Sequence, residues 1–249
     1  MLLRQFSTCS KTMRKVLPVD LKSKTKTISS QHWLSRQLSD PYVEKAKLLN
    51  YRCRSAFKLI EIDDRFKILH PGDIVIDCGA SPGSWTQVAV KRVNSDGLNN
   101  KLPRGTVLAL DKQQIYPIKG ATIFGNMDFT VPESQKKLFD YLNGEKVHVV
   151  ISDMAPNATG VRDLDTENII KLCYAALRFA LQISRNNASL LVKLWQCGEL
   201  KILENDMARY YSNVKVVKPN SSRSDSTEIF LLGRNFKGLK DSLSTSVLL

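Results

Sequence analysis

Five ionisable residues stand at or near the ends of apolar segments that are predicted to be strands. Asp77, Asp111, Asp128, Asp153 and Lys193 belong to the first through fifth of these strands, in that order. Ligands of doubly wound sheets bind outside the carboxyl ends of the strands, so the five side chains are expected to converge there. A single acid at such a position can equally be a helix cap. Five together indicate a binding site with catalytic potential.

Lys193 is the most unusual of the five, because it interrupts an apolar strand. An unpaired ammonium group is costly to bury there. The lysine therefore needs anionic partners, or its pKa falls from about 10.4 and it can act as a general base. The alternative is a lysine at the exposed end of the strand that reaches water.

The stretch Asp73–Trp85 is predicted to form a strand, a turn rich in small residues and the start of a helix. Such a turn brings backbone N–H groups close to a nucleotide-like ligand. It lacks the dinucleotide fingerprint G-x-G-x-x-G. The Asp-Cys-Gly-Ala-Ser-Pro-Gly sequence instead resembles the first motif of methyltransferases that use S-adenosylmethionine, although an ordinary turn remains the alternative. The residues expected to bind this cofactor are Asp77, Gly79, Pro82, Gly83, Ser84, Trp85, Asp111, Asp128 and Asp153.

Three of these acids have specific expected roles. Asp111 can accept hydrogen bonds from both ribose hydroxyls of an adenosine, and Asp128 can meet the adenine amino group. Asp153 is expected near the methionine part of the cofactor and the reacting centre.

Strands alternate with helices along the chain, which predicts an α/β fold with a mostly parallel sheet and helices on both faces. The predicted strands are Ile74–Ile76, Gly105–Asp111, Ala121–Phe124, Lys146–Ser152, Ser189–Trp195, Val214–Val217 and Ile229–Leu232, the last two antiparallel at one edge. The principal predicted helices are Trp33–Leu49, a second one from Tyr51 through Leu69 that Pro71-Gly72 ends, Trp85–Val93, Glu133–Leu142, Glu167–Ile183 and Glu199–Tyr211. Seven strands of this kind match the Rossmann-like methyltransferase sheet, here over residues 36–234, before a flexible tail at 235–249.

The net charge of +13 over 249 residues predicts an anionic partner, for which nucleic acid is the leading candidate. Residues 1–30 contain seven basic residues and one acid, so the rest of the chain also has a net positive charge. The five cysteines show no C-x-x-C spacing and the three histidines are scattered, which argues against a metal site. No apolar run approaches the ~18 residues of a membrane span.

Residues 1–35 are basic, rich in Ser and Thr and poor in acids, without the apolar core of a secretory signal. This composition predicts a mitochondrial transit peptide. The alternative is a disordered basic segment that contacts RNA.

Four residues in the order Lys–Asp–Lys–Glu make the resemblance specific. They are Lys58 in Arg-Ser-Ala-Phe-Lys-Leu, Asp153 in Ser-Asp-Met-Ala-Pro-Asn, Lys193 in Val-Lys-Leu-Trp-Gln and Glu228 in Ser-Thr-Glu-Ile-Phe. With the glycine-bearing turn, this tetrad resembles the FtsJ-like RNA ribose 2′-O-methyltransferases from about Tyr51 to Gly233. The resemblance implies that S-adenosylmethionine methylates a ribose 2′-hydroxyl without a metal. It also implies that Lys193 is the base or orienting group, that Asp153 and Lys58 hold it, and that Glu228 sets Lys58 or the substrate.

Within this family the stretches Asp153–Asp165 and Lys218–Arg223 look most similar to the mitochondrial branch, and the transit-like N-terminus points the same way. The resemblance therefore implies a matrix enzyme that methylates a uridine of large-subunit rRNA, within a precursor of the large ribosomal subunit, and supports assembly of that subunit. Alternatives are a tRNA ribose methyltransferase and an assembly factor that acts mainly by binding RNA; a small-molecule methyltransferase is disfavoured by the basic charge. Candidate phosphate contacts are Arg52, Arg54, Lys215, Lys218 and Arg223.

Overall fold

The structure of the protein is a computed structural model, and it describes residues 40–239. The strands are β1 (Ile74–Cys78), β2 (Thr106–Leu110), β3 (Ala121–Phe124), β4 (Val147–Ser152), β5 (Ser184–Trp195), β6 (Tyr211–Val217) and β7 (Glu228–Phe236). The helices are α1 (Pro41–Leu48), α2 (Ala56–Phe66), α3 (Ser84–Val93), α4 (Pro132–Leu142), α5 (Arg162–Ile183) and α6 (Leu200–Tyr210).

All seven strands of the described chain form one sheet, in the order β3-β2-β1-β4-β5-β7-β6. The pairs among β1 to β5 are parallel, whereas β7 is antiparallel to both β5 and β6. The predicted α/β fold is confirmed, and so is the prediction of two antiparallel strands at one edge. Because β7 is antiparallel to β5, its first residue, Glu228, pairs with Trp195 at the carboxyl end of β5.

Several element boundaries differ from the sequence prediction. Helix α5 begins five residues before the predicted start at Glu167, because its polar first turn hides the helical pattern. Strand β5 begins five residues before Ser189, since its first part is the polar segment Arg185–Asn187. Strand β7 continues to Phe236, two residues beyond the predicted end of the domain.

The N-terminal part of the predicted Trp33–Leu49 helix lies outside the described residues, and the described part is α1. Residues 1–35, the predicted targeting segment, also lie outside them, as do residues 240–249 of the predicted tail.

The two faces of the sheet each pack against helices. Val75 and Ile76 are neighbours in β1 whose side chains point to opposite faces, and both are completely buried. One face packs against α4, α5 and α6, and the other against α2 and α3. Continuous apolar strands are what a sheet covered on both faces requires. Within residues 40–239, no helix is long and apolar enough to cross a membrane.

A buried carboxylate holds the connection between α2 and β1. The side chain of Asp63 is buried, and its Oδ1 accepts hydrogen bonds from the backbone N–H groups of Ile68 (3.0 Å) and Leu69 (2.9 Å). Arg92 Nε lies 3.3 Å from Oδ2. Since Ile68 and Leu69 are themselves buried, water cannot replace this acceptor.

Replacing Asp63 is therefore expected to destabilise the fold. Asp63→Ala should lower the free energy of unfolding by about 2–4 kcal/mol, because two buried donors lose their acceptor. Asp63→Asn should cost less, since an amide oxygen can still accept. Asp64→Ala, a change at an exposed neighbour with an ion pair to Arg92, should cost less than about 1 kcal/mol. Urea denaturation measures all three, and equal losses at positions 63 and 64 would contradict this account.

Candidate active site

An open cleft of about 460 Å³ lies at the carboxyl ends of the parallel strands. Gly79, Asp111, Asp128 and Asp153 line it, so four of the predicted cofactor residues are brought together. The volume falls within the range of small-molecule sites. The cleft also has lining residues that the sequence did not single out, on α5 and in the segments after β3 and β4: Phe129, Met154, Asn157, Asn168, Lys171 and Leu172.

The turn after β1 is closely packed against its neighbours. Gly79 has a φ of +77°, and a Cβ there would overlap the side chain of Met154. Gly83 has a φ of +110°, and a Cβ there would lie 2.6 Å from Ile118 Cδ1 and 2.7 Å from Arg52 Nη1. Both positions therefore need glycine for backbone conformation and for space. The peptide bond between Ser81 and Pro82 is cis.

Asp111 and Asp128 are held by short hydrogen bonds. Asp111 accepts the backbone N–H of Ser81 on Oδ2 (2.9 Å) and that of Gln113 on Oδ1 (2.7 Å). These bonds tie the end of β2 to the turn after β1. Asp128 Oδ1 accepts both the N–H (2.8 Å) and the hydroxyl (2.6 Å) of Thr130, which lower the pKa of this carboxyl. Both carboxylates are thus oriented at the cleft and can accept from hydroxyl or amino groups.

The other predicted cofactor residues do not line this cleft. Pro82 is exposed and Gly83 is buried, both in the turn. Ser84 is buried, with its Oγ 2.6 Å from Ser55 Oγ. Trp85 is buried against Phe230, with ring centroids 5.6 Å apart.

Asp77 is also away from the cleft surface, inside β1. It is completely buried, and its Oδ2 accepts the hydroxyl of Thr86 at 2.7 Å. Burial raises the pKa of Asp77 to about 7; the Thr86 hydrogen bond opposes this rise, and the Asp153 and Asp111 carboxylates add to it. Among the described residues, its Oδ1 has no hydrogen-bond partner.

The predicted tetrad forms two ion pairs. Lys58 Nζ lies 2.7 Å from both carboxylate oxygens of Glu228. Lys193 Nζ is 2.9 Å from Asp153 Oδ1 and donates a hydrogen bond of 2.5 Å to the backbone carbonyl of Asp153. The Oδ1 contact is an ion pair without hydrogen-bond alignment, so the carbonyl is the hydrogen-bond acceptor. All four side chains are between 10% and 17% exposed. The alternative of a Lys193 that reaches bulk water is therefore wrong.

Strand register places the two ion pairs on one face of the sheet. Lys193 pairs across the ladder with Phe230, and Glu228 lies two residues before Phe230. Since side chains alternate along a strand, Lys193, Phe230 and Glu228 share a face. Helix α2 covers this face and carries Lys58, whose Nζ lies 5.9 Å from the Phe230 ring centroid. Ser222, which the sequence did not single out, donates its hydroxyl to Glu228 Oε1 at 2.9 Å.

Arg52, one of the predicted phosphate contacts, has backbone partners within the protein. Its guanidinium donates to the carbonyls of Pro82 (2.7 Å), Tyr116 (2.9 Å) and Pro117 (2.8 Å). These bonds join the turn after β1 to the segment between β2 and β3. Nothing in the sequence pattern relates these positions, so sequence reasoning missed the role.

The remaining predicted RNA contacts lie along the same side as α2 and the β6–β7 connection. Arg54 Nη2 donates to the Ser221 carbonyl at 2.5 Å. Lys218 is exposed, and its Nζ donates to the Ser226 carbonyl at 2.8 Å. Arg223 is half-buried in the same connection, and Lys215 Nζ lies 5.9 Å from the ring of Phe66. No group of three or more metal-ligating side chains occurs among residues 40–239.

The fold and the cleft define a methyltransferase of the α/β class. The family model for FtsJ-like methyltransferases matches residues 51–236, and the chain belongs to this family. It is 58% identical to the Drosophila melanogaster protein named rRNA methyltransferase 2, mitochondrial, over 225 residues that cover 90% of this chain and 89% of that protein.

A bacterial sequence relative and a solved structure agree with this assignment. The chain is 40% identical to ribosomal RNA large subunit methyltransferase E of Roseobacter denitrificans, over 88% of this chain and 92% of that protein. The fold resembles a crystal structure from Plasmodium falciparum, described as a ribosomal RNA methyltransferase. The TM-score is 0.67 and the identity 26%, over 76% of this chain and 100% of that one.

The raised pKa of Asp77 predicts a specific pH dependence of stability. Between about pH 4 and pH 7 the folded carboxyl holds a proton that the unfolded one has lost, so stability falls as pH rises through this window. Asp77→Asn keeps an acceptor for Thr86 and cannot ionise. The free energy of unfolding of the variant minus that of the wild type should therefore increase by about 2–3 kcal/mol from pH 5 to pH 8. Urea denaturation at both pH values measures this, and a pH-independent difference would rule it out.

The Arg52 contacts predict that this side chain rigidifies the turn after β1. Arg52→Ala removes three charge-assisted hydrogen bonds, so backbone amides around residues 80–84 and 116–120 should exchange with deuterium at least about tenfold faster. Arg209→Ala, a change of equal charge at an exposed position on α6, should leave these amides unchanged. Hydrogen exchange by mass spectrometry compares the two, and unaltered exchange in Arg52→Ala would refute the role.

Proposed function

We propose that the protein transfers a methyl group from S-adenosylmethionine to the ribose 2′-hydroxyl of a uridine in mitochondrial large-subunit rRNA. The observation that carries the proposal is the Lys193–Asp153 ion pair at the edge of the cleft, with the Lys58–Glu228 pair on the same face. The names of the Drosophila and bacterial relatives support an rRNA substrate. The proposed consequence is support for assembly of the large ribosomal subunit.

The cleft fits S-adenosylmethionine by the chemistry of its donors and acceptors. The Asp111 carboxylate is oriented by two backbone N–H groups and suits a ribose diol. Asp128, ionised through Thr130, suits an exocyclic amino group. Phe129, Met154 and Leu172 supply apolar surface for a base. When bound, the cofactor supplies an electrophilic methyl group on a positively charged sulfur.

The tetrad has the properties needed to handle a ribose hydroxyl. A 2′-hydroxyl is a weak acid and a poor nucleophile, so it needs a neighbouring positive charge and a proton acceptor. Lys193 supplies a donor whose position is set by two oxygens of Asp153. As an ammonium it donates to the hydroxyl oxygen and orients it; to take the hydroxyl proton it must first have lost one of its own.

The Lys58–Glu228 pair supports this arrangement from the neighbouring helix. The Glu228 carboxylate is held from two sides, by the ammonium of Lys58 and by the hydroxyl of Ser222. Each lysine has its own carboxylate, so the partly buried charges are balanced in pairs. We propose that this rigidity positions the hydroxyl in line with the methyl group, since orientation alone can supply a large part of such a rate.

We further propose that RNA reaches the cleft over the side formed by α2 and the β6–β7 connection, where Arg54, Lys218 and Arg223 contact phosphates. Arg52 acts mainly through the turn that it holds. Residues 1–35 are proposed to direct the protein to the mitochondrial matrix, in agreement with the name of the Drosophila relative.

The proposal predicts the behaviour of Lys193→Ala in a methyl-transfer assay. Labelled S-adenosylmethionine is incubated with mitochondrial large-subunit rRNA, both naked and within isolated subunit precursors. Lys193→Ala should lower the rate by about 100-fold or more, because it removes the group that handles the hydroxyl proton. Lys201→Ala, at an exposed lysine on α6, should retain wild-type activity. Mapping the label identifies the nucleotide and the 2′-O-methyl group.

The other outcomes discriminate between the alternatives. If tRNA is supplied in the same assay, label in tRNA but not in rRNA would favour a tRNA ribose methyltransferase. Binding of subunit precursors without label in any RNA, although calorimetry detects S-adenosylmethionine binding, would favour an assembly factor. Equal activity of Lys193→Ala and wild type would overturn the proposed role of the tetrad.

A further inference from the structure

A second pocket lies at the amino ends of the parallel strands, on the opposite side of the sheet from the active site at their carboxyl ends. It measures about 260 Å³ and is lined by residues that precede or begin β1, β4 and β5 and that end β7. Its cationic side chains are Lys67, Arg185 and Arg234, and Asp73 is the carboxylate among its lining residues. The mechanism uses none of these groups. Strand β4 runs from the pocket to the active site, so the pocket is on the order of 20 Å from the tetrad.

An irregularity in the sheet builds one wall of this pocket. Val147 pairs with Ser184 and Val149 with Ser189, so two steps along β4 correspond to five along β5. The extra residues bulge outward, and Asn187 takes a φ of +66°. This bulge brings Arg185 to His148, the β4 residue between the two paired positions. Arg185 Nη1 lies 2.8 Å from His148 Nε2.

The protonation state of His148 follows from its other nitrogen. The backbone N–H of Ile74 donates to Nδ1 at 3.1 Å, so Nδ1 carries no proton. Burial lowers the pKa of His148; Asp73 opposes this, while Arg185 and His70 contribute to the lowering. The ring is therefore neutral near pH 7 and its proton is on Nε2. A guanidinium can only donate, so Arg185 and His148 present two donors to each other without an acceptor between them.

The nearby carboxylate does not supply that acceptor. Asp73 Oδ1 is 3.7 Å from His148 Nε2, beyond hydrogen-bond distance. Its Oδ2 accepts the backbone N–H of His70 at 2.8 Å and lies 3.4 Å from His70 Nδ1. Arg234 adds a further donor: Nη1 bonds to the Phe66 carbonyl at 3.1 Å, whereas its buried Nε has no partner among the described residues.

We propose that this pocket binds a phosphate group, and that the phosphate belongs to the backbone of the RNA on which the protein acts. A phosphate oxygen can accept from Arg185 and His148 together, which removes the donor–donor contact. Three cationic side chains against one carboxylate favour an anion. The choice of RNA as the source rests on the proposed function and on the net charge of +13. The protein would then contact structured RNA at both ends of its parallel strands.

The phosphate site is tested with inorganic phosphate and without cofactor or RNA. Long-range ¹H–¹⁵N spectra of the three-histidine protein report the ring nitrogens of His148, assigned with His148→Gln. Phosphate, added at constant ionic strength against chloride, should shift the His148 Nε2 signal saturably. The shift should be lost in Arg185→Ala and retained in Arg209→Ala, which removes the same charge elsewhere on the surface. No saturable shift in the wild type, or an equal shift in Arg185→Ala, would overturn the site.

A second arm tests RNA as the source of the phosphate. Equilibrium binding of large-subunit rRNA fragments is measured over a range of salt concentrations. Arg185→Ala should weaken binding by about five- to tenfold and reduce the slope of log K against log salt by about one, whereas Arg209→Ala should change neither. Unchanged RNA binding with an intact phosphate shift would overturn RNA as the source and leave a free phosphate compound. Because no methyl transfer is measured, this outcome is separate from failure of the proposed activity.

Discussion

Two lysines, Lys193 on β5 and Lys58 on the helix that covers it, lie partly buried at one face of the sheet, and the need to balance their charges constrains the rest of the site. An ammonium group removed from water is stable only beside an anion held in good geometry. Asp153, at the end of the neighbouring strand β4, forms an ion pair with Lys193, and Glu228 on β7 forms one with Lys58. Removing either carboxylate would leave an uncompensated charge and not merely a missing contact. Because β4, β5 and β7 are neighbours in the sheet, both carboxylates lie close to the lysines that they neutralise.

A second set of contacts connects this charged face to the cleft at the carboxyl ends of the strands. Arg52 joins the turn after β1 to the segment beyond β2, and Asp111 joins the same turn to the end of β2. The indole Nε1–H of Trp85 donates to the Ser55 carbonyl at 2.9 Å, just before the helix that carries Lys58. The turn is thus anchored to the end of β2, to the segment that follows β2 and to the start of helix α2. A displacement of this turn would be felt at both halves of the site.

The sequence predicted the fold because apolar strands, glycine turns and amphipathic helices are local signals. It also predicted the acids at the strand ends, since one rule of parallel sheets places them at one edge. Other features depend on pairs distant in the chain, such as Arg52 with Pro117 or Arg185 with His148, and no local pattern reveals them. Asp77 has the sequence signature of a ligand residue, yet it is completely buried, because its side chain points toward α3 and not the cleft.

The reversed direction of β7 has a consequence for how the protein is made. Glu228 begins this strand, and Lys58 lies 170 residues earlier in the chain. During synthesis from the amino end, the first half of the sheet and the cofactor turn are complete while Lys58 still has no carboxylate partner. Local contacts can form early, but this pair closes one of the longest loops in the described chain. Completion of the tetrad therefore coincides with completion of the domain, and a truncated chain that ends before β7 carries an open cleft without a balanced site.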